Sequence, residues 1–199
     1  MDQIKKDASY SVGMSIGQSL QGQNLDQIDL DSFVAGIQAI FNNEELRFTP
    51  NEANEKITSY INSMNEDRFG QFKSEGEAFL SENAKRDEVT VLPSGLQYEV
   101  IESGDGAKPS ATDQVTVHYH GTLTDGSVFD SSVNRGTPAS FGVNQVIKGW
   151  TEALQLMPKG AKWKLYIPEN LAYGANPHPG GPIKPYMALV FDVELIDIN

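Results

Sequence analysis

Apolar residues recur at helical spacing through the first half of the chain and alternate with polar ones through the second. Ala8, Val12, Ile16 and Leu20 repeat every four residues, with Met14 beside them, and predict a first helix. Gly13 and Gly17 lie on another strip of it. Each glycine costs a helix roughly 1 kcal/mol relative to alanine, so the pair reads either as a contact strip for another backbone or as plain weakness. Leu30, Phe33, Val34, Ile37, Ile40 and Phe41 form the apolar stripe of a second helix, from about Asp31 to Phe41. A third opens on Thr49, Pro50 and Glu52, an N-cap, a first-turn proline and a capping-box partner. No proline follows until Pro93, so this helix can run to Lys85, about 50 Å. Its stripe is dense at Ile57, Tyr60, Ile61 and Met64, then thins to Phe69, Phe72, Phe79 and Leu80 among charges. That predicts a helix buried at its start and largely exposed later, with Gly70 and Gly76 as points where it could bend. Two short helices and one end of a long one make a thin core. A homodimer through residues 1–65 is therefore expected, twofold pairs being the commonest oligomer.

The texture changes after Val89. Leu96 to Val100, Val115 to Tyr119, Ala161 to Ile167 and Ala188 to Leu195 alternate with a period of two. Ser103-Gly104-Asp105-Gly106, Thr124-Asp125-Gly126 and Pro158-Lys159-Gly160 supply turns between them, and Trp150 to Met157 fits one short helix. The fold class is α+β: a helical N-terminal module over residues 1–65, a long linking helix over 50–86, and an antiparallel sheet packed on a short helix over 90–199.

Composition narrows the function. The 199 residues include no cysteine, which excludes disulfides, thiolate metal sites and cysteine catalysis. The net charge is −12, with 8 basic and 16 acidic side chains in residues 1–90 and 7 and 11 in residues 91–199. Both halves are repelled by phosphate backbones and anionic lipid, so neither nucleic acid nor membrane is an expected partner. No apolar run approaches the roughly 20 residues that span a bilayer. The first seven residues lack the apolar stretch of a signal peptide. The expectation is a cytoplasmic protein, or a periplasmic one whose signal has been removed.

Conventional catalytic sets are missing. The histidines are His118, His120 and His178. His118 and His120 fall on one face of a strand, a spacing that could hold a metal weakly; a third ligand is lacking, and the pair reads as ordinary surface histidines. No phosphate-binding glycine loop occurs, and neither metal nor cofactor is expected. What remains is a set of aromatic and apolar residues near turns: Tyr119, Phe129, Phe141, Val146, Ile147, Trp150, Tyr173, Ile183 and Phe191, with Asp130 among them. Each alone reads as core.

Together they lie within recognisable signatures. Val117-His118-Tyr119-His120-Gly121, Asp125-Gly126-Ser127-Val128-Phe129-Asp130-Ser131-Ser132, Val146-Ile147-Lys148-Gly149-Trp150 and Ala172-Tyr173-Gly174 follow one another as in FKBP-type prolyl isomerases, and Leu189 to Leu195 resembles that family's last strand. The similarity covers residues 90–199. The helical half resembles, more loosely, the dimerisation module of the macrophage-infectivity-potentiator subgroup. The resemblance implies a five-stranded sheet wrapped around the short helix. It implies a pocket floored by Trp150 and walled by Tyr119, Phe129, Phe141, Val146, Ile147 and Phe191, with Ile183 on the following loop. The Tyr173 hydroxyl and the Ile147 N–H are its implied donors and Asp130 its buried carboxylate. The implied activity is peptidyl-prolyl cis-trans isomerisation, with proline-containing unfolded polypeptides as substrates and macrolides such as tacrolimus and rapamycin as ligands. Ala139 stands where many members carry an aromatic residue, and the loop from His178 to Pro185 is one residue longer than in compact members, so ligand preference is the less determined part. A client-binding chaperone with little catalysis is the competing reading. A binding module with an inactive pocket is a third; the presence of every expected pocket residue type except at Ala139 disfavours it.

Overall fold

A computed structural model describes residues 2–23 and 25–199; Met1, where the expected N-terminal module begins, lies outside them. Two compact units result, residues 1–66 and residues 67–199.

The first unit carries helices α1 (Asp2–Gly22) and α2 (Leu30–Phe41) and the opening turns of α3 (Pro50–Asn83). Local chemistry sets the starts. The Asp29 carboxylate accepts the Ser32 N–H at 2.8 Å and caps α2. At α3 the capping box forms in both directions: the Thr49 N–H donates to Glu52 at 2.8 Å and the Glu52 N–H donates to the Thr49 hydroxyl at 3.4 Å. The Tyr60 hydroxyl donates to the Gln27 carbonyl at 2.8 Å, tying α3 to the α1–α2 connection. No residue of α1 or α2 is buried. Gly13 and Gly17 face open space. Ile57 and Tyr60 are exposed as well, while Ile61 and Met64 are half-buried, so the expected burial at the start of α3 is only partial within one chain.

The later turns of α3 reverse the second half of that expectation. They are packed against the second unit's sheet. Phe79 meets the Tyr166 ring at 6.1 Å. A Cβ on Gly76 would stand 3.1 Å from that of Ala188, so this glycine serves a close approach and not a bend. Buried Asn83 donates to Gln97 at 2.9 Å, and Gln97 donates to the Leu80 carbonyl at 2.9 Å. Arg86, just past the helix, donates to Tyr166 at 2.9 Å and to Glu99 at 2.9 Å. Sparse apolar spacing concealed this contact because polar side chains make much of it. Among the described residues no helix is long and apolar enough to cross a membrane.

The sheet is antiparallel throughout. Its strands are β1 (Val89–Val91), β2 (Gln97–Glu102), β3 (Gln114–Leu123), β4 (Val128–Ser131), β5 (Ala139–Gly142), β6 (Lys162–Ile167) and β7 (Leu189–Ile198), in the order β1-β2-β6-β7-β3-β4. Seven strands replace the five implied by resemblance for two reasons. The three-residue β1 adds an edge, and β4 and β5 divide one edge of β3, pairing with residues 120–122 and 114–117 respectively. Between them lies a single helical turn, α4 (Ser132–Arg135), capped by the Ser131 hydroxyl. The β3–β4 hairpin turns on Gly126, at φ 86°, a left-handed conformation that glycine adopts without strain.

α5 (Lys148–Leu154) lies across the inner face and buries Gly149, Trp150, Ala153 and Leu154. It begins and ends earlier than Trp150 to Met157: the Trp150 N–H already donates to the Ile147 carbonyl at 2.9 Å. A Cβ on Gly149 would come within 2.6 Å of the Ile167 side chain, so only hydrogen fits there. Leu96, Val115, Val117, Leu165, Ile167, Leu189, Val193 and Leu195 complete a dry core.

Candidate active site

Period-two alternation turns Tyr119 towards the inner face of β3, with Val117. Gly121, next on that face, leaves room for two rings: a Cβ there would lie 2.7 Å from Phe129 and 2.8 Å from Phe191. Phe129 and Asp130 come from β4, Phe141 from β5 and Phe191 from β7. Val146 and Ile147 lead into α5, whose first turn presents Trp150. These residues, with Gln145 and Tyr173, line a cavity of about 440 Å³. Nine of the ten side chains expected from the sequence therefore meet. Ile183 does not join them. It lines a neighbouring cavity of about 150 Å³ with Pro177 and His178, which touches the first through Phe129 and Tyr173.

Trp150 is the floor, 4% exposed. Tyr119, Phe141 and Phe191 approach it edge-on, at 5.5, 6.0 and 5.2 Å and interplanar angles of 80–89°. Phe129 meets Phe191 the same way at 5.3 Å. Such edge-to-face contacts suit the ring quadrupoles and hold the walls rigid. The buried Trp150 Nε1 has no hydrogen-bond partner among the described residues.

Asp130 departs from its expected burial: its side chain is 45% exposed, at the mouth. Both oxygens are nonetheless engaged. Oδ2 accepts from the Tyr119 hydroxyl at 2.5 Å and Oδ1 accepts from Arg135 Nη1. Arg135 Nη2 also donates to the Tyr119 oxygen at 2.7 Å, and the guanidinium lies over the Tyr119 ring. Partial burial pushes the Asp130 carboxyl up, but the hydrogen bonds from Tyr119 and Arg135 and the Arg135 charge outweigh it and leave it below the usual carboxylate value. Burial, then the hydrogen bond to Asp130, pushes the Tyr119 phenol up. Burial and the Asp130 charge do the same to Tyr173. Tyr119 and Tyr173 thus remain protonated donors at neutral pH.

Besides the Trp150 indole, two donors are unused. The Ile147 N–H and the Tyr173 hydroxyl have no acceptor among the described residues, and both border the cavity. Among the described residues that line the cavity Asp130 is the one carboxylate, and it is spent on Arg135. No group of three metal-ligating side chains occurs among the described residues. The arrangement suits a small apolar ring flanked by a backbone carbonyl. Arg135 and Gln145 are the members that sequence reasoning passed over. The Ser131 cap, which starts the turn that brings Arg135 back over Asp130, was the available signal for the first.

Residues 105–196 match the family described as FKBP-type peptidyl-prolyl cis-trans isomerase, and residues 5–100 match the domain amino-terminal to it. A 22 kDa FKBP-type peptidyl-prolyl cis-trans isomerase of Escherichia coli is 44% identical, covering 99% of this chain and 97% of that protein. This chain belongs to the FKBP-type peptidyl-prolyl cis-trans isomerases. The outer membrane protein MIP of Legionella longbeachae is 42% identical over 98% of this chain and 86% of its own length. The crystal structure of FkpA from E. coli superposes with a TM-score of 0.65 at 35% identity, covering 98% of this chain and 96% of that one. The FKBP-type isomerase shares both the helical region and the sheet region with these relatives.

Proposed function

We propose that this isomerase seats the prolyl ring of an X–Pro bond on Trp150 and accelerates its rotation without any covalent step. The observation that carries this is the aromatic box with two unspent donors at its rim. An X–Pro bond rotates over a barrier of about 20 kcal/mol because amide resonance makes it partly double. Twisting breaks that resonance, so the carbonyl loses negative charge and the nitrogen turns pyramidal. Water favours the planar, more polar state. A site that excludes water favours the twisted one. The Ile147 N–H holds the substrate carbonyl on one side of the bond, and the Tyr173 hydroxyl holds neighbouring backbone. Asp130 orients: with both oxygens committed, it fixes Tyr119 as a wall. A thousandfold acceleration needs only about 4 kcal/mol of differential stabilisation.

The same pocket takes macrolides such as rapamycin and tacrolimus. The chain acts on unfolded, proline-containing clients as a homodimer through its helical unit, which gives each client two points of attachment. The exposed stripes of α1 and α2 support the pairing, Val12 and Phe41 being 60% and 79% exposed. The test is the cis-to-trans rate of a short X–Pro peptide with wild type, Tyr173→Phe and Trp150→Ala, with and without rapamycin. Turnover that rapamycin blocks and the substitutions reduce is the expected result. No turnover in folded protein would leave client binding as the activity.

A further inference from the structure

The pocket uses only one face of β3. Its alternation places His118 and His120 side by side on the other. Both rings are held from behind. His118 Nδ1 lies 3.0 Å from the Ser132 hydroxyl and His120 Nδ1 lies 2.9 Å from the Ser131 hydroxyl. Those hydroxyls also reach the Tyr119 carbonyl, at 3.3 and 3.4 Å. Each hydroxyl has one proton to give, to this carbonyl or to Nδ1; in the tautomer where the carbonyl receives it, the imidazole proton sits on Nδ1 and the lone pair on Nε2 faces outward. Neither Nε2 has a hydrogen-bond partner among the described residues. Both rings open into a cavity of about 330 Å³ that also holds Lys162, Asp192 and Glu194.

The β3–β7 register sets Glu194 opposite His118 and Asp192 opposite His120. Side chains at paired positions start about 5 Å apart. Asp192 is engaged with Lys164 at 3.6 Å. Glu194 is exposed and has no ion-pair partner among the described residues.

We propose that His118 and His120 chelate a zinc ion through their Nε2 atoms, with Glu194 swinging in as the third ligand and water completing the shell. Alternate residues of a strand are about 6.6 Å apart, a span across which two imidazoles can converge on one ion with bonds of about 2 Å. Zinc accepts imidazole and carboxylate together. A hydrogen bond behind each ring is the outer-shell arrangement that fixes tautomer and aim. The three ligands are not preassembled, so the site closes on the ion. Lys162, the register neighbour of Glu194 on β6, opposes it with its charge.

The experiment is a zinc titration of the full chain, read by calorimetry and by imidazole ¹⁵N resonances. One ion per chain is expected. The Nε2 resonances of His118 and His120 move and those of His178 do not. His118→Gln and His120→Gln each weaken binding at least about tenfold, Glu194→Gln weakens it less, and Lys162→Met tightens it. The proposal is overturned if the two Nε2 resonances of the wild type stay still, or if the double His118→Gln, His120→Gln variant binds zinc as well as wild type. The wild-type spectrum decides even where a variant fails to fold, and peptide isomerisation reports folding independently.

Discussion

The two units draw on the same kinds of apolar residue and dispose of them in opposite ways. In residues 67–199, sheet pairing brings distant strands over one helix, and Leu96, Leu165 and Leu195 become wholly inaccessible. In residues 1–66, Leu25 is the sole buried apolar side chain among the described residues, and Ile4, Tyr10, Leu30 and Phe41 are each at least 69% exposed. A helix closes its backbone hydrogen bonds within its own segment, so an uncovered stripe leaves no backbone ladder unpaired. A sheet strand needs a partner, and the partner brings the core with it. Within each unit, therefore, the first leaves its apolar stripes uncovered and the second buries its own.

The largest effect that would sharpen this contrast is at the α2 stripe. Phe41→Asp removes about 1.5–3 kcal/mol of burial from each copy. Twice over in a twofold interface, that should raise the dimer dissociation constant by about two to four powers of ten. Sedimentation reads it, and short-peptide kcat/KM should stay within about twofold of wild type. A variant that stays dimeric would break the contrast. Leu195→Ala in the closed core should cost about 2–5 kcal/mol at any protein concentration. Ile4→Ala on α1 should cost less than about 0.5 kcal/mol in dilute protein and more as concentration rises, because only an assembled partner covers it. Tyr173→Phe comes next: kcat/KM should fall about tenfold, one hydrogen bond's worth, while Tm is unchanged because the hydroxyl has no partner among the described residues. Thr49→Ala, which removes the α3 cap, should cost about 1 kcal/mol, read by urea unfolding. The smallest effect is in pH. The Asp130 carboxyl is held below the usual value, so the folded state favours its ionised form. That contribution is complete above about pH 4 and lost as pH falls further. Isomerisation should be flat from about pH 8 to about pH 5 and decline only below about pH 4. In Arg135→Ala the decline should begin at higher pH. A profile that Arg135→Ala leaves unmoved would sever Asp130 from the pocket's function.

Much of the site was legible because its signals are local. Gly149 sits one residue before Trp150, where α5 meets Ile167; Asp125 and Gly126 make the turn that brings Phe129 and Asp130 back along β3. Asp130 was misjudged as buried because exposure depends on what stands above a side chain, and Arg135 holds it at the mouth. Ile183 was placed with the main pocket because loop position in sequence says little about which side of Tyr173 a residue falls on.

The chain's order of residues by itself determined the elements and their faces. Capping residues start α2 and α3, period-two runs make the strands, and alternation sends Tyr119 inwards and His118 and His120 outwards. These are decided by neighbours a few positions away, through hydrogen bonds and steric preferences that do not require the rest of the fold. Only the tertiary structure decided which elements meet. It packed the later turns of α3 on the sheet, set Arg135 over Asp130, and brought Glu194 opposite His118 across strands 76 residues apart in sequence. Such contacts depend on register and on the balance of burial over the whole unit, and no short stretch of sequence contains either.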